Sequence, residues 1–290
     1  MSSSFLFVFT FLSFFFLVRG WAVDPYIDDL SFKNNLQKGL EKLTESQEFL
    51  SLADLKKQLS VKHPPFAYTA GGQVLDSQDS IYEQCKKSVL AVGRLYNCGK
   101  CSKWHTSIAS GFAIGAEGIM ATNYHVIDQD DGEIIAVMDF MGRLFEIEKI
   151  LTANKAYDLA VLQLKDASLS PLPLGQPVHV GSDAWVISHP NSKLFFMTKG
   201  MVSRYYLYHH PNRVQLGLEE NLRRMSITAD FAKGSSGAPV LNSGGEVIGV
   251  VCSTHSIYYN KTSGQETNLQ MVVKNCIPVE SLYRLLKNGL

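Results

Sequence analysis

From residue 111 to residue 273 the chain is a series of short apolar runs separated by Gly, Asn and Asp. Runs of that length, bounded by turn residues, each suit one strand. Gly111-Phe112-Ala113-Ile114 and Ile119-Met120-Ala121-Thr122 flank Gly115-Ala116-Glu117-Gly118, which reads as a hairpin. Further runs cover 134–140, 144–151, 159–164, 184–188, 195–203, 225–229, 247–252 and 269–273. No βαβ rhythm appears, which argues against a doubly wound sheet. The pattern predicts an all-β barrel or sandwich. One helix closes the chain. Pro278 sits where a first-turn proline belongs, Leu282, Leu285 and Leu286 form the apolar face, and Gly289 is its stop.

The first 76 residues have a different texture. Residues 5–18 are apolar apart from Thr10 and Ser13, and Gly20 and Ala22 are small residues suited to cleavage after Ala22. Residues 1–22 therefore read as a signal peptide, with a buried or interfacial anchor helix as the alternative. No later stretch is long enough to span a bilayer, so no membrane span is expected once the signal is removed. The expected location is secreted or periplasmic. Residues 23–76 read as a helical extension, either a pro-segment or a packing arm. Leu36, Leu40 and Leu43 share one helical face, Leu52, Leu55 and Leu59 another, and Gly39 weakens the first helix. Ser51 with Asp54 resembles a capping box. Lys62-His63-Pro64-Pro65 ends the region and Gly71-Gly72 lies in a linker.

Charge excludes some partners. Lys plus Arg and Asp plus Glu are each 27, a balance that argues against a nucleic-acid binder or a polybasic membrane surface. The five cysteines are Cys85, Cys98, Cys101, Cys252 and Cys276. Cys98-x2-Cys101 invites zinc, with His105 and Cys85 as further ligands. No second Cys-x2-Cys completes a ribbon, and a local disulfide or two idle thiols is the preferred reading in an exported chain. No metal and no cofactor are expected.

The chemistry concentrates at Gly234-Ser235-Ser236-Gly237-Ala238-Pro239-Val240. A serine becomes a nucleophile only with a base in reach and donors for the oxyanion it creates. His125 follows the second strand of the hairpin, and Asp158 opens another strand in Tyr157-Asp158-Leu159-Ala160-Val161. The order His, Asp, Ser, with gaps of 33 and 78 residues, is the chymotrypsin-like order and not that of subtilisin-like or α/β-hydrolase enzymes.

These stretches resemble the trypsin-like serine peptidases of the chymotrypsin fold, and among them the bacterial high-temperature-requirement type. Ser110-Gly111-Phe112, Thr122-Asn123-Tyr124-His125-Val126, Asp158-Leu159-Ala160-Val161, His189-Pro190, Lys199 to Ser203, Gly234 to Val240, Gly245 to Val250 and Ile277-Pro278-Val279 carry the likeness. It covers about residues 77–290, which are expected to form the protease domain. The resemblance implies two six-stranded antiparallel β-barrels with the site between them. It implies a serine endopeptidase acting on polypeptides, with Ser236 as nucleophile, His125 as base and Asp158 as its orienting partner. The N–H groups of Gly234 and Ser236 would form the oxyanion hole. Cys252, Ser253 and Thr254 would pair with the substrate backbone. Asp230, six residues before Ser236, would sit at the base of a pocket for Arg or Lys, or else cap a turn or pair with Lys233. Ser235 replaces the aspartate that animal digestive enzymes pair with a freed N-terminus, so that activation switch is not expected. The 54 residues after Ser236 leave no room in this sequence for the PDZ domain usual in the high-temperature-requirement type. Rival readings are a catalytically silent protease-fold binding or chaperone-like module and an esterase using the same triad. A metal-dependent hydrolase is disfavoured, since no His-Glu-x-x-His stretch occurs. Asn260-Lys261-Thr262 is a glycosylation sequon in an expected polar loop.

Overall fold

The structure, a computed structural model, describes residues 26–46, 50–61, 65–72, 81–129, 132–212, 215, 222–262 and 264–288. The predicted signal peptide (1–22), the Lys62–Pro64 break and Gly289 lie outside these residues.

Two closed antiparallel barrels of six strands each make up the body. The first contains β1 (Val89–Asn97), β2 (Trp104–Gly115), β3 (Ile119–Thr122), β4 (Gly132–Met138), β5 (Leu144–Asn154) and β6 (Leu159–Leu164), in the order β1-β2-β3-β6-β5-β4. The second contains β7 (Asp183–Ser188), β8 (Phe196–Tyr208), β9 (Leu222–Ile227), β10 (Pro239–Leu241), β11 (Val247–Thr262) and β12 (Gln265–Pro278), in the order β10-β11-β12-β9-β8-β7. Pairing of β1 with β4 and of β10 with β7 closes the two sheets. This is the predicted all-β, two-barrel architecture.

Strands of the first barrel read as continuous apolar runs because both of their faces are buried. Alternate residues feed two separate clusters. Val89, Ala91, Ile134, Ala136, Leu159 and Val161 face one cluster, shared with the second barrel and with α5 (Val279–Asn288). Leu90, Val92, Ile135, Val137, Ala160 and Leu162 face the other. Period-two alternation thus sorts residues between two dry environments, and no polar face is left to mark the strand.

The N-terminal helices complete these clusters. In α1 (Asp29–Thr44), Leu36 and Leu40 are fully buried against the first barrel. Asp28 caps it by accepting from the Ser31 N–H at 2.9 Å. Gly39 and Gly93 are sites of close approach. A Cβ on Gly39 would come within 2.7 Å of Leu144, and one on Gly93 within 2.8 Å of Leu36. The helix penalty expected at Gly39 is offset by the contact it permits. In α2 (Leu52–Lys57), Ser51 Oγ accepts from the Asp54 N–H at 3.1 Å and donates to its carboxylate at 2.6 Å, while Leu52 and Leu55 are buried. Asp29 of α1 also accepts from the Leu194 N–H at 2.9 Å, and Phe32 meets Phe195 edge-on. The extension therefore touches the second barrel's β7–β8 connection as well as the first barrel.

Three sequence expectations shift. Pro278 ends β12 and α5 begins one residue later. The sequon Asn260-Lys261-Thr262 falls in the end of β11 and not in a loop. Strands β1 and β10 were not among the predicted runs. β10 is three residues long and begins with proline, which offers no strand signal.

Candidate active site

Strand pairing brings the first two site residues together. β3 pairs with β6, with Thr122 opposite Ala160. His125, three residues past Thr122, lies in a single helical turn, α4 (Tyr124–Ile127). Asp158 lies two residues before Ala160, at a positive φ of 60°. That left-handed conformation is tolerated by Asp more readily than by most residues. The buried Asn123 fixes it by donating from its side-chain amide to the Asp158 carbonyl at 2.9 Å. The Asp158 carboxylate then receives three donors. His125 Nδ1 lies 2.9 Å from Oδ2, the His125 backbone N–H donates to Oδ1 at 3.0 Å, and the Cys252 thiol donates to Oδ2 at 3.3 Å. With Nδ1 engaged as donor, Nε2 is left as the acceptor of the neutral ring. Burial, and then the Asp158 charge, push the Cys252 thiol up to about 12, so it stays protonated and donating at neutral pH.

Ser236 sits on the loop before β10. Glycine on either side of the Ser235-Ser236 pair is obligatory. Gly234 has φ +99°, and a Cβ there would lie 2.4 Å from the His189 carbonyl oxygen. Gly237 has φ +84°, and its Cβ would lie 2.3 Å from the Ser110 carbonyl oxygen. Ser110 of β2 clamps this loop from the first barrel. Its N–H donates to the Ser236 carbonyl and its Oγ to the Gly234 carbonyl, both at 2.9 Å. The buried Ser235 hydroxyl accepts from Ser188 Oγ at 2.9 Å. His189 is buried beneath the loop. Its Nδ1 accepts from the Phe195 N–H at 3.0 Å, and burial holds its pKa down to about 4, so it is neutral. Among the described residues, no acceptor engages the N–H of Gly234 or of Ser236. Two uncommitted donors beside a serine are what a developing oxyanion requires.

His125, Gly234 and Ser236 line one cleft of about 340 Å³, with Arg94, Tyr96, Gln129 and Lys233 around them. A second recess of about 190 Å³ opens beside Ser236, walled by Phe231, Ala232, Lys233, Val251, Cys252, Ser253 and Thr254. A family description, trypsin-like peptidase domain, matches residues 109–250. His125, Asp158 and Ser236 all fall inside the matched stretch. Among curated proteins the chain is similar to the anti-sigma-I factor RsgI9 of Acetivibrio thermocellus, 29% identical over 147 residues, covering 50% of this chain and 19% of that protein. It is similar to the serine endoprotease DegS of Escherichia coli, 26% identical over 190 residues, covering 63% of this chain and 50% of that protein. It also resembles a probable periplasmic serine endoprotease, DegP-like, of Halomonas elongata, 31% identical over 153 residues, covering 51% and 30%. The chain thus spans half or less of the length of these three relatives.

Around Ser236 the predicted substrate residues separate. Cys252, Ser253 and Thr254 lie beside Ser236, on a part of β11 that continues beyond its pairing with β10, which ends at Val250. Asp230 is not in either recess. It lies between two buried residues, Ala229 and Phe231, so its own side chain turns outward and is 78% exposed. There it pairs with Lys274 Nζ at 2.5 Å, and the same ammonium donates to the Phe231 carbonyl. A basic-specific pocket floor therefore does not form from Asp230. Sequence reasoning also left several supporting residues unassigned. Ser110, Asn123, Gln129 and His189 hold the loop or its neighbours, and Gln129 donates to the His125 carbonyl. Only Ser110-Gly111-Phe112, Asn123 and His189-Pro190 stood inside recognisable stretches. Cys85 lies apart from Cys98 and Cys101, buried with its thiol near the Gly245 carbonyl. Among the described residues no helix is long and apolar enough to cross a membrane.

Proposed function

We propose that this protein is an exported serine endopeptidase that hydrolyses polypeptides through an acyl-enzyme. The observation that carries the reading is the His125–Asp158 pair opening onto the same cleft as Ser236 and Gly234. Ser236 Oγ attacks the scissile carbonyl and passes its proton to His125 Nε2. The oxyanion forms against the N–H groups of Gly234 and Ser236. Collapse expels the amine, which takes the proton from His125, and a water activated by the same ring then hydrolyses the ester. Asp158 stays ionised throughout, holding the tautomer and stabilising the imidazolium. Loss of one oxyanion donor typically costs about 3 kcal/mol of transition-state stabilisation. The substrate backbone lies along Cys252, Ser253 and Thr254 by strand addition.

The recess beside Ser236 accepts an uncharged aliphatic P1 side chain. Phe231, Ala232, Val251 and Cys252 give it apolar walls, Lys233, Ser253 and Thr254 complete the lining beside Ser236, and no carboxylate among the described residues is there to receive a basic side chain. A P1-varied peptide library is expected to favour Val, Ala or Leu; a preference for Arg or Lys would overturn this. Export rests on residues 1–22, and N-terminal sequencing of the mature chain should begin after Ala22.

The activity is tested with a fluorophosphonate probe on the mature chain beside Ser236→Ala and His125→Ala. Labelling of the native chain, lost in both variants, is the expected result. Removing the nucleophile of such a triad costs roughly a million-fold in kcat. A folded native chain that labels neither with nor without residues 23–76 would mean a protease fold kept for binding.

A further inference from the structure

We propose that Cys98, Cys101 and His105 form a binding site for one zinc-class divalent cation at the tip of the β1–β2 hairpin. The two thiol sulfurs lie 3.4 Å apart, and Cys101 Sγ lies 3.1 Å from His105 Nε2. All three ligand atoms fall within 4.8 Å of one another. Zinc bonds of about 2.3 Å to sulfur and about 2.0 Å to nitrogen in a tetrahedron place such atoms roughly 3.5–3.8 Å apart. Small shifts of the exposed Cys101 and the half-buried Cys98 and His105 side chains reach that geometry.

Local structure brings the three together. Tyr96 pairs with His105 and Asn97 with Trp104, so residues 98–103 form the connecting loop. Asn97 Oδ1 accepts from the Gly99 N–H at 2.9 Å, and Gly99 turns the loop at φ +68°. The His105 ring lies along the Tyr96 ring, 5.6 Å between centroids, with Nε2 toward the thiols. Residues 99–103 are exposed, so no apolar burial drives this convergence. A disulfide would use two of the three groups and leave the imidazole without a part. Two sulfurs and one imidazole are a borderline-soft donor set suited to zinc, and the solvent side leaves a fourth position for water.

The position matters because both strands run from this tip into the cleft wall. Arg94, Tyr96 and Ser107 line the cleft, and Arg94 donates to Gln129, the residue bonded to the His125 carbonyl. A cation at the tip would fix the rim beside the proposed catalytic residues without touching them.

The test uses the reduced, chelator-treated mature chain. After one equivalent of zinc and desalting, one zinc per chain should be retained by elemental analysis. Cobalt should give visible ligand-field bands and a near-ultraviolet thiolate-to-cobalt band. Cys98→Ser, Cys101→Ser and His105→Ala should each lose these signals, while His255→Ala keeps them. Circular dichroism should show all four variants folded, since the tip is exposed. Failure of the reduced chain to retain zinc overturns the proposal. So does equal retention by the three ligand variants, which would locate the metal elsewhere. A chain whose thiols only form a Cys98–Cys101 disulfide, seen as a two-hydrogen mass loss, and which binds no zinc once reduced, overturns it as well.

Discussion

Leu36 and Gly93 form a single knob and hole, and this gives a prediction with an unusual sign. Leu36 is fully buried between α1 and β1. The three atoms nearest to a Cβ built on Gly93 are all in the Leu36 side chain, at 2.8, 2.9 and 3.0 Å. Leu36→Ala empties a packed site and should cost about 2–5 kcal/mol. Gly93→Ala overpacks the same site and should cost about 1–3 kcal/mol. In the double variant the added methyl enters the space the leucine left. Its destabilisation should therefore fall short of the sum by about 0.5–3 kcal/mol, the range for residues in contact. Denaturant titration followed by circular dichroism measures all three. For a chain of this size Leu36→Ala should lower Tm by about 5–15 °C. Costs that add to within about 0.5 kcal/mol, or a Leu36→Ala cost below that figure, would refute the integral role of α1 and favour a loosely held segment.

Other outcomes follow from the site. Cys252→Ala removes a donor from the Asp158 carboxylate and should lower kcat/KM by roughly 10- to 100-fold, as expected for a hydrogen bond to a charged group, while Cys252→Ser retains most activity on a peptide substrate. In the metal-free reduced chain at pH 8, iodoacetamide should modify Cys98 well before Cys252, because one thiol sits at about 7 and the other at about 12; peptide mapping reads the order. His189 is neutral in the fold down to about pH 4 but protonates near 6.5 when unfolded. Between those values the unfolded state holds the extra proton, so stability falls as pH falls, by about 3 kcal/mol in all. His189→Gln should flatten that part of the stability curve relative to the native chain. Gly237→Ala should abolish probe labelling, since its Cβ would meet the Ser110 carbonyl at 2.3 Å. Asp230→Asn should leave P1 preference unchanged in the peptide library.

What was legible in the sequence depended on whether burial left a local pattern. The β2–β3 hairpin showed itself because Gly115 to Gly118 separates two apolar runs, and Gly118 does take a positive φ of 78°. The leucines of α1 and α2 were visible as helical faces, though not what they would cover. The outer part of β11 carries no apolar run, and Asn260-Lys261-Thr262 reads as a polar loop, because residues beyond Cys252 are mostly exposed and only backbone pairing with β12 makes them a strand. The outward turn of Asp230 has no signal along the chain, because its ionic partner, Lys274, lies on a distant strand. Ser110 could not be assigned, since a hydroxyl joining two barrels has no signature along the chain. The three groups at 98, 101 and 105 were close in sequence and were recognised as candidates, but their convergence depended on a turn at Gly99 and on the register of two strands.

The Ser110 clamp has a consequence for how the molecule can fail. The loop holding Ser236 belongs to the second barrel, while two of the hydrogen bonds shaping it come from the first. The His125–Asp158 pair sits wholly on the first barrel. A slippage of one barrel against the other would strip the serine loop of its mould and separate it from its base in one movement, with each barrel still folded. Reactivity toward a serine probe would then vanish before secondary structure does, so the probe reports the seam between the barrels and not the integrity of either.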